Sequence, residues 1–337
     1  MSLPASLSAA FAARPDPVAV PSASVAVLVA EDEVTAAWGA EMGTRFQAAS
    51  ISKPVAALMA LRLAAQGRLS LDADVNEYLT SWQLPGENGM PPVTVRHLLY
   101  HGGALTVSGV PGYEQGQVLP SLTEILDGLA PANTPAVRRD GPPGREHRYS
   151  GGGYILLQQL LEDVTARPFP DLAAELVFEP ARMTAATYAQ PASSAAAAAH
   201  VDGREVDWRV YPELAAAGLW CTPTDLVHFA RVIQDAVAGE ATALLPRHLA
   251  LEMVTPQVGD WGLGLRVSGD GPSQRFSHGG DNHGYQCALI GAVYRRQAVA
   301  VMTGSDAGDP VIGSLLAAVR ESTTWRDLPI RQDGPTW

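Results

Sequence analysis

The chain has 337 residues, which at ~150 residues per domain bounds it at about two domains or one large one. Hydrophobic residues make up 47% and charged residues 17%, so the protein is globular, with a core large enough to need no metal or disulfide staple. Lys plus Arg total 23 against 35 Asp plus Glu, and this formal charge of −12 argues against nucleic acid as a partner.

In chain order, residues 2–13 predict a short helix ended by Arg14-Pro15-Asp16-Pro17. The opening stretch shows no basic segment followed by an apolar run, and no window holds the ~18 apolar residues of a membrane span, so a cytoplasmic location is expected. Ser24–Ala30, the acidic turn Glu31-Asp32-Glu33 and Val34–Trp38 predict a strand hairpin. Phe46–Ala49 is a further strand or a loop. Ser50–Ala65 is helical, with Ile51, Val55, Leu58 and Met59 near a 3.6 period, Pro54 early and Gly67 beyond the end.

From about Leu71 to Asp202, short helical patterns at Thr94–Leu99, Leu122–Leu129 and Gly153–Thr165 alternate with Pro/Gly loops. Pro131–Arg148 predicts a draped loop, and Ala192–Ala199, low in complexity, a surface connection. Thr222 or Thr224 caps a helix to about Ala238. Trp261–Val267, Arg275–His278, Tyr285–Tyr294 and Gln297–Thr303 then predict successive strands, and Pro310–Glu321 a closing helix. Strands at both ends predict one sheet built from residues 1–70 and 203–337, with a helical insert over 71–202.

Of the 23 basic residues, 22 are Arg, and Lys53 is the sole lysine. It follows Ser50 by three positions, which on a helix puts both side chains on one side. A serine hydroxyl is a poor nucleophile until a base takes its proton. A lysine in a dry or cationic site can be that base, and an arginine cannot. In a chain that otherwise uses arginine for positive charge, this pair points to a nucleophile and its proton partner. The plain alternative is a helix cap and a surface lysine.

Tyr149, before Ser150-Gly151-Gly152-Gly153, can aim its phenol into a cleft, and beside an ammonium its phenolate becomes a base. A structural turn explains the same residues. In His278-Gly279-Gly280-Asp281, next to a predicted strand, the glycines admit a ligand or a second backbone, and exposed N–H groups can hold an oxyanion. The two cysteines, Cys221 and Cys287, make no disulfide framework, and His278 and His283 lack metal-ligand spacing, so no metal or cofactor is implied. His97 and His101 are expected to pack and hydrogen-bond locally. The pairs Asp72/Asp74 and Glu162/Asp163 are expected at helix starts or on solvated faces. No G-x-S-x-G elbow is present, which counts against an α/β-hydrolase.

In order, SISK, YSG and HGG resemble the three motifs of the serine beta-lactamase and penicillin-binding-protein superfamily, most closely its class C-like branch of esterases, peptidases and transacylases. Val95–Gly103 is similar to that branch's HLLxHxSGL stretch and Ala215–Trp220 to its AAGGL turn. The resemblance implies an α/β (α+β) fold, an antiparallel sheet flanked by helices with an all-helical insert domain. It also implies Ser50 as the acylated nucleophile, Lys53 and Tyr149 as proton carriers with the choice of base open, and no cofactor. The backbone N–H groups of Ser50 and Asp281 would form the oxyanion hole, with His278, Gly279, Gly280 and Gly151 beside the substrate.

Two departures from the pattern bear on substrate. Gly151 replaces the usual Asn of the second motif, and His278 the Lys common in the third. Both remove contacts expected for a beta-lactam or a cell-wall peptide. The implied activity is hydrolysis of a small ester or amide. Transfer of the acyl group to an amine or alcohol is the alternative, and a silent binding protein on the same fold is the rival. Tyr113, Trp208, Trp220 and Trp261 are candidate pocket aromatics, and oligomeric state stays open.

Overall fold

The computed structural model describes residues 2–14, 16–86, 89–189 and 195–330. The chain opens with α1 (Leu3–Ala12), then the hairpin β1 (Ala23–Val29) and β2 (Asp32–Trp38). A two-residue strand, β3 (Phe46–Gln47), leads through a 3₁₀ turn at Ala49–Ile51 into α2 (Ser52–Ala65). The middle of the chain is helical, with α3 (Val95–Leu99), α4 (Leu122–Asp127), α5 (Gly151–Thr165) and α6 (Phe169–Ala173). After the small hairpin β4 (Ala199–Val201) and β5 (Arg204–Val206) come α7 (Leu214–Ala217), β6 (Trp220–Cys221), α8 (Pro223–Ala238) and α9 (Arg247–Met253). Four strands follow, β7 (Arg266–Ser268), β8 (Arg275–Asn282), β9 (Tyr285–Ala292) and β10 (Gln297–Thr303), and α10 (Asp309–Ser322) closes the chain.

The main sheet runs β2-β1-β10-β9-β8-β7, every pairing antiparallel, so both ends of the sequence meet where β1 pairs β10. Its central strands are apolar on both faces because both are covered. Val25, Val27, Val299 and Val301 pack with Leu7 and Phe11 of α1 and Leu315 and Val319 of α10. The alternate residues Ala26, Leu28, Ala298 and Ala300 share the other core with Phe229 and Ile233 of α8, all of α2's buried face and the middle helices. Period-two alternation thus sorts one run of Val and Ala between two cores.

Several boundaries differ from the sequence reading for local reasons. The hairpin turns at Ala30, with φ 56°, and Glu31, while Asp32 and Glu33 are already in β2. Ser50 lies in the 3₁₀ turn, not at a helix cap. The three glycines after Ser150 are the first turn of α5, whose N-cap Ser150 accepts the Gly153 N–H; burial against neighbouring backbone outweighs glycine's poor helix propensity there. Strand β7 begins only at Arg266, and β8 runs on to Asn282. Residues 192–194 of the expected surface connection lie outside the described residues, whereas Ala197 and Ala199 are buried.

Leu315 is fully buried between α10 and the sheet, outside the three sequence motifs. Leu315→Ala is expected to lower stability by about 2–5 kcal/mol in denaturant titration. A loss below about 1 kcal/mol would contradict this packing.

Candidate active site

The 3₁₀ turn that carries Ser50 is pinned from three sides. Ala48 N–H donates to Leu219 O at 2.8 Å, and Cys287 Sγ donates to Ala48 O at 3.1 Å. Ser52, fully buried, donates to Ala49 O at 2.6 Å and accepts the Leu219 N–H at 3.0 Å. Ala49, immediately before Ser50, is held at φ 48°, a left-handed conformation costly for a residue with a Cβ. Strand β8 lies against this turn. A Cβ on Gly280 would fall 2.3 Å from Ala48 O and 3.0 Å from the Ala49 Cβ, so only glycine permits the approach. Beyond Ser277 the β8 edge is no longer paired with β7, and the His278–Asn282 segment of β8 packs against the Ser50 turn there.

Lys53 opens α2 and is 3% exposed. Its Nζ lies 3.0 Å from Ser50 Oγ and 2.8 Å from Ala216 O of α7. The alanines of α7 make this possible, since small side chains let the helix pack close to α2 and α5. Desolvation pushes the Lys53 ammonium down to about 7. The Tyr149 side chain interacts with that of Ser50, and the Lys53 Nζ sits 5.0 Å from the Tyr149 ring centroid. Burial raises the phenol well above its ordinary range, and the Ser50 contact only partly offsets it. The phenol is therefore protonated at neutral pH, and the amine is divided between its two forms.

The motif brought from the far end of the chain is arranged less simply. His278 is 1% exposed, with Nδ1 2.6 Å from Gly279 O, so Nδ1 carries the proton and donates. Burial, aided by Lys53, pushes its imidazolium down to about 3, which leaves a neutral ring. Gly279 and Gly280 are buried, while Asp281 is exposed at the β8 edge. Gly151 is buried behind Tyr149, its N–H donated to Ser108 O at 3.0 Å. A Cβ there would stand 3.1 Å from Ser108 O, which leaves little room for the Asn usual in the motif.

Of the four candidate aromatics, Trp261 touches the site, with ring centroids 5.6 Å from Tyr149 and 5.5 Å from His278. Trp220 instead packs on Trp208 and Tyr285, and the buried Tyr113 takes the Asn133 N–H on its hydroxyl. Asp72 pairs with Arg96, Asp74 caps a 3₁₀ turn, Glu162 accepts the Phe169 N–H and Asp163 those of Thr80 and Ser81, so both acidic pairs are structural. His97 completes a capping box with Thr94. His101, read in sequence as packing locally, lies with its ring 4.3 Å from that of Tyr149. No group of three or more His, Cys, Asp or Glu able to hold a metal occurs among the described residues, and none of their helices is long and apolar enough to cross a membrane.

This architecture and this clustering of a serine, a lysine and a tyrosine agree with a match of the Beta-lactamase family model to residues 7–321. The chain belongs to that family. Penicillin-binding protein 4 of Amycolatopsis lactamdurans is 27% identical over 249 residues, covering 67% of this chain and 63% of that protein. Esterase EstB of Burkholderia gladioli is 44% identical over 63 residues, 18% of this chain and 16% of that protein. The chain thus spans less than two thirds of the length of these curated relatives. The solved structure of SurE with D-Leu superposes with a TM-score of 0.75 at 23% identity, over 96% of this chain and 76% of that one.

Gly280→Ala is expected to push β8 off the Ala48–Ala49 turn and to slow modification of Ser50 by an activated ester about 10²-fold, the cost of a misplaced reacting group. Stopped-flow acylation checks this, and an unchanged rate would contradict the close approach.

Proposed function

We propose that the protein is a serine hydrolase that forms an acyl-enzyme on Ser50 from a small ester or amide. The observation that carries this reading is the buried Lys53 amine at 3.0 Å from Ser50 Oγ. As ammonium it donates to Ser50; as free amine it accepts the hydroxyl proton and leaves Oγ nucleophilic. With Tyr149 held protonated by burial, Lys53 is the base of the acylation step. Oγ forms a bond to the carbonyl carbon as its proton passes to Nζ. The oxyanion that develops is held by the backbone N–H groups of Ser50 and Asp281. As it collapses, the bond to the leaving alkoxide or amine breaks, and that group takes a proton from the Tyr149 hydroxyl, whose oxygen is reprotonated by the neighbouring Lys53 ammonium, since the acylated Ser50 Oγ has no proton to pass. Water then attacks the acyl carbon as its proton passes to the same pair, and the bond to Ser50 Oγ breaks as Oγ takes that proton back, releasing the acid.

The substrate class follows from charge. His278 occupies the position where many family members carry lysine, and as a neutral ring it offers no cation to a substrate carboxylate. Gly151 offers no amide. An ester or amide without a carboxylate beside the scissile bond suits this site better than a beta-lactam. A second reading, transfer of the acyl group to an amine, is favoured by a groove of about 320 Å³ that begins at Asp281 and is lined by Asp306, Tyr211, His283 and Arg209, two carboxylates against one guanidinium. Carboxylates there would hold an incoming ammonium group.

Three results are expected. Mixing with an activated ester adds one acyl mass to Ser50 in the intact protein and none in Ser50→Ala; modification elsewhere, or none, would overturn the assignment. The rate constant kcat/KM rises with pH and levels off above an apparent pKa near 7, because the free amine of Lys53 is the reactive form. Lys53→Arg keeps the charge and loses about 10²–10⁴-fold, as expected for removal of a general base. A flat pH profile between pH 5 and 9, or a near-normal Arg variant, would place the base elsewhere (roughly two units on either side of the predicted midpoint).

A further inference from the structure

We propose that His101 is a positioning residue that clamps Tyr149 on Ser50 from both sides of the backbone and across the ring. The inference rests on the reading of Ser50 and Tyr149 given above. The residue before Tyr149 is held by the main chain of His101, whose O accepts the Arg148 N–H at 2.8 Å. The residue after Tyr149 is held by the side chain, whose Nδ1 accepts the Ser150 N–H at 3.1 Å. Between these two bonds the imidazole lies against the phenol ring, with centroids 4.3 Å apart and planes inclined by 32°. One residue therefore fixes the three-residue segment that carries the phenol.

Other features show that the arrangement is built for this orientation. His101 takes φ 61°, a left-handed conformation that histidine, like Asn and Asp, adopts more readily than other non-glycine residues, and this turn directs both its carbonyl and its ring at the same segment. The ring is 2% exposed, and Trp261 backs it edge-on at 4.9 Å, with Tyr154 at 5.2 Å and His147 at 5.7 Å. Accepting at Nδ1 requires an unprotonated Nδ1, so the neutral ring carries its proton on Nε2, which has no hydrogen-bond partner among the described residues. A doubly protonated ring would set an N–H against the Ser150 N–H and release the clamp. Burial first, and the neighbouring Lys53 when it is charged, hold His101 neutral. With the second nitrogen left without a bond among the described residues, what His101 contributes comes from the first nitrogen and the ring face.

The test separates positioning from plain structural support. His101→Asn keeps an acceptor for the Ser150 N–H and tolerates φ 61°, but removes the ring; His101→Ala removes acceptor and ring together. Single-turnover acylation by an activated ester is expected to fall about 10²-fold in the Ala variant, as for a reacting group displaced by about 1 Å, with KM little changed and the Asn variant in between. In a Tyr149→Phe background the same His101→Asn change should cost nothing further, within about twofold, because no hydroxyl remains to position. Losses that multiply independently would overturn the proposal. A readout without turnover accompanies it: ¹⁵N NMR of the intact protein should find His101 protonated at Nε2 only, with no titration between about pH 5 and 8. A ring that titrates there, or that carries its proton on Nδ1, would also overturn it. A wild-type chain whose Ser50 is never acylated overturns the reading of Ser50 instead, since the NMR result tests the clamp by itself.

Discussion

The burial of one primary amine constrains the rest of the molecule. Lys53 sits between Ser50 Oγ and Ala216 O with almost no exposure to solvent, and its ammonium form has lost nearly all its hydration. Among the described residues it meets no carboxylate at ion-pair distance, so its two hydrogen bonds and the Tyr149 and Tyr154 rings offset that loss only in part and the proton is held weakly. The unfolded chain keeps this proton up to the ordinary lysine range, whereas the folded one releases it from about pH 7 upward. Stability contributed by this group therefore rises with pH between those limits, and at lower pH the folded state carries the cost of a buried charge. An arginine could not relieve that cost by losing its proton, which accounts for the one lysine in a chain of 22 arginines.

Everything that fixes Ser50 also fixes the amine. The Ala49 turn, the Ser52 hydroxyl and the alanines of α7 set the depth of Lys53, while Gly280 brings β8 against the same turn. The sheet that supplies β8 is closed by pairing β1 with β10, so the site depends on the two ends of the chain coming together. Tyr149 arrives from the helical middle of the chain, held by His101. Three separate regions of sequence thus converge on one hydroxyl, and their mutual distances are set by packing of both cores.

Much of this was legible in the residues. The lone lysine three positions after a serine, the tyrosine before glycines and the HGG stretch each mark a place where ordinary composition is broken, and order along the chain joined them. The β1 and β10 strands were legible because a run of Val and Ala buried on both faces has few other uses. What stayed hidden depends on tertiary contact. Gly151–Gly153 reads as a turn, since glycine is a poor helix former, yet backbone crowding at Ser108 and Thr106 places it inside α5. The role of His101 was concealed by the nearby His97, which suggested a local pair, whereas the partners of His101 lie 47 to 49 positions further on, at Arg148, Tyr149 and Ser150. The left-handed turns at Ala30 and Ala49 fall on alanine, which gives no sequence signal for φ above zero.

The central claim concerns the protonation of one amine, and the composition of the chain makes it directly observable. Incorporating ¹⁵N-lysine labels a single side chain, so one Nζ resonance can be followed through a pH titration of the free protein. A midpoint about 7 is predicted from the burial of Lys53 without a counter-charge. A midpoint near 10.5, the ordinary value for a solvated lysine, would contradict it.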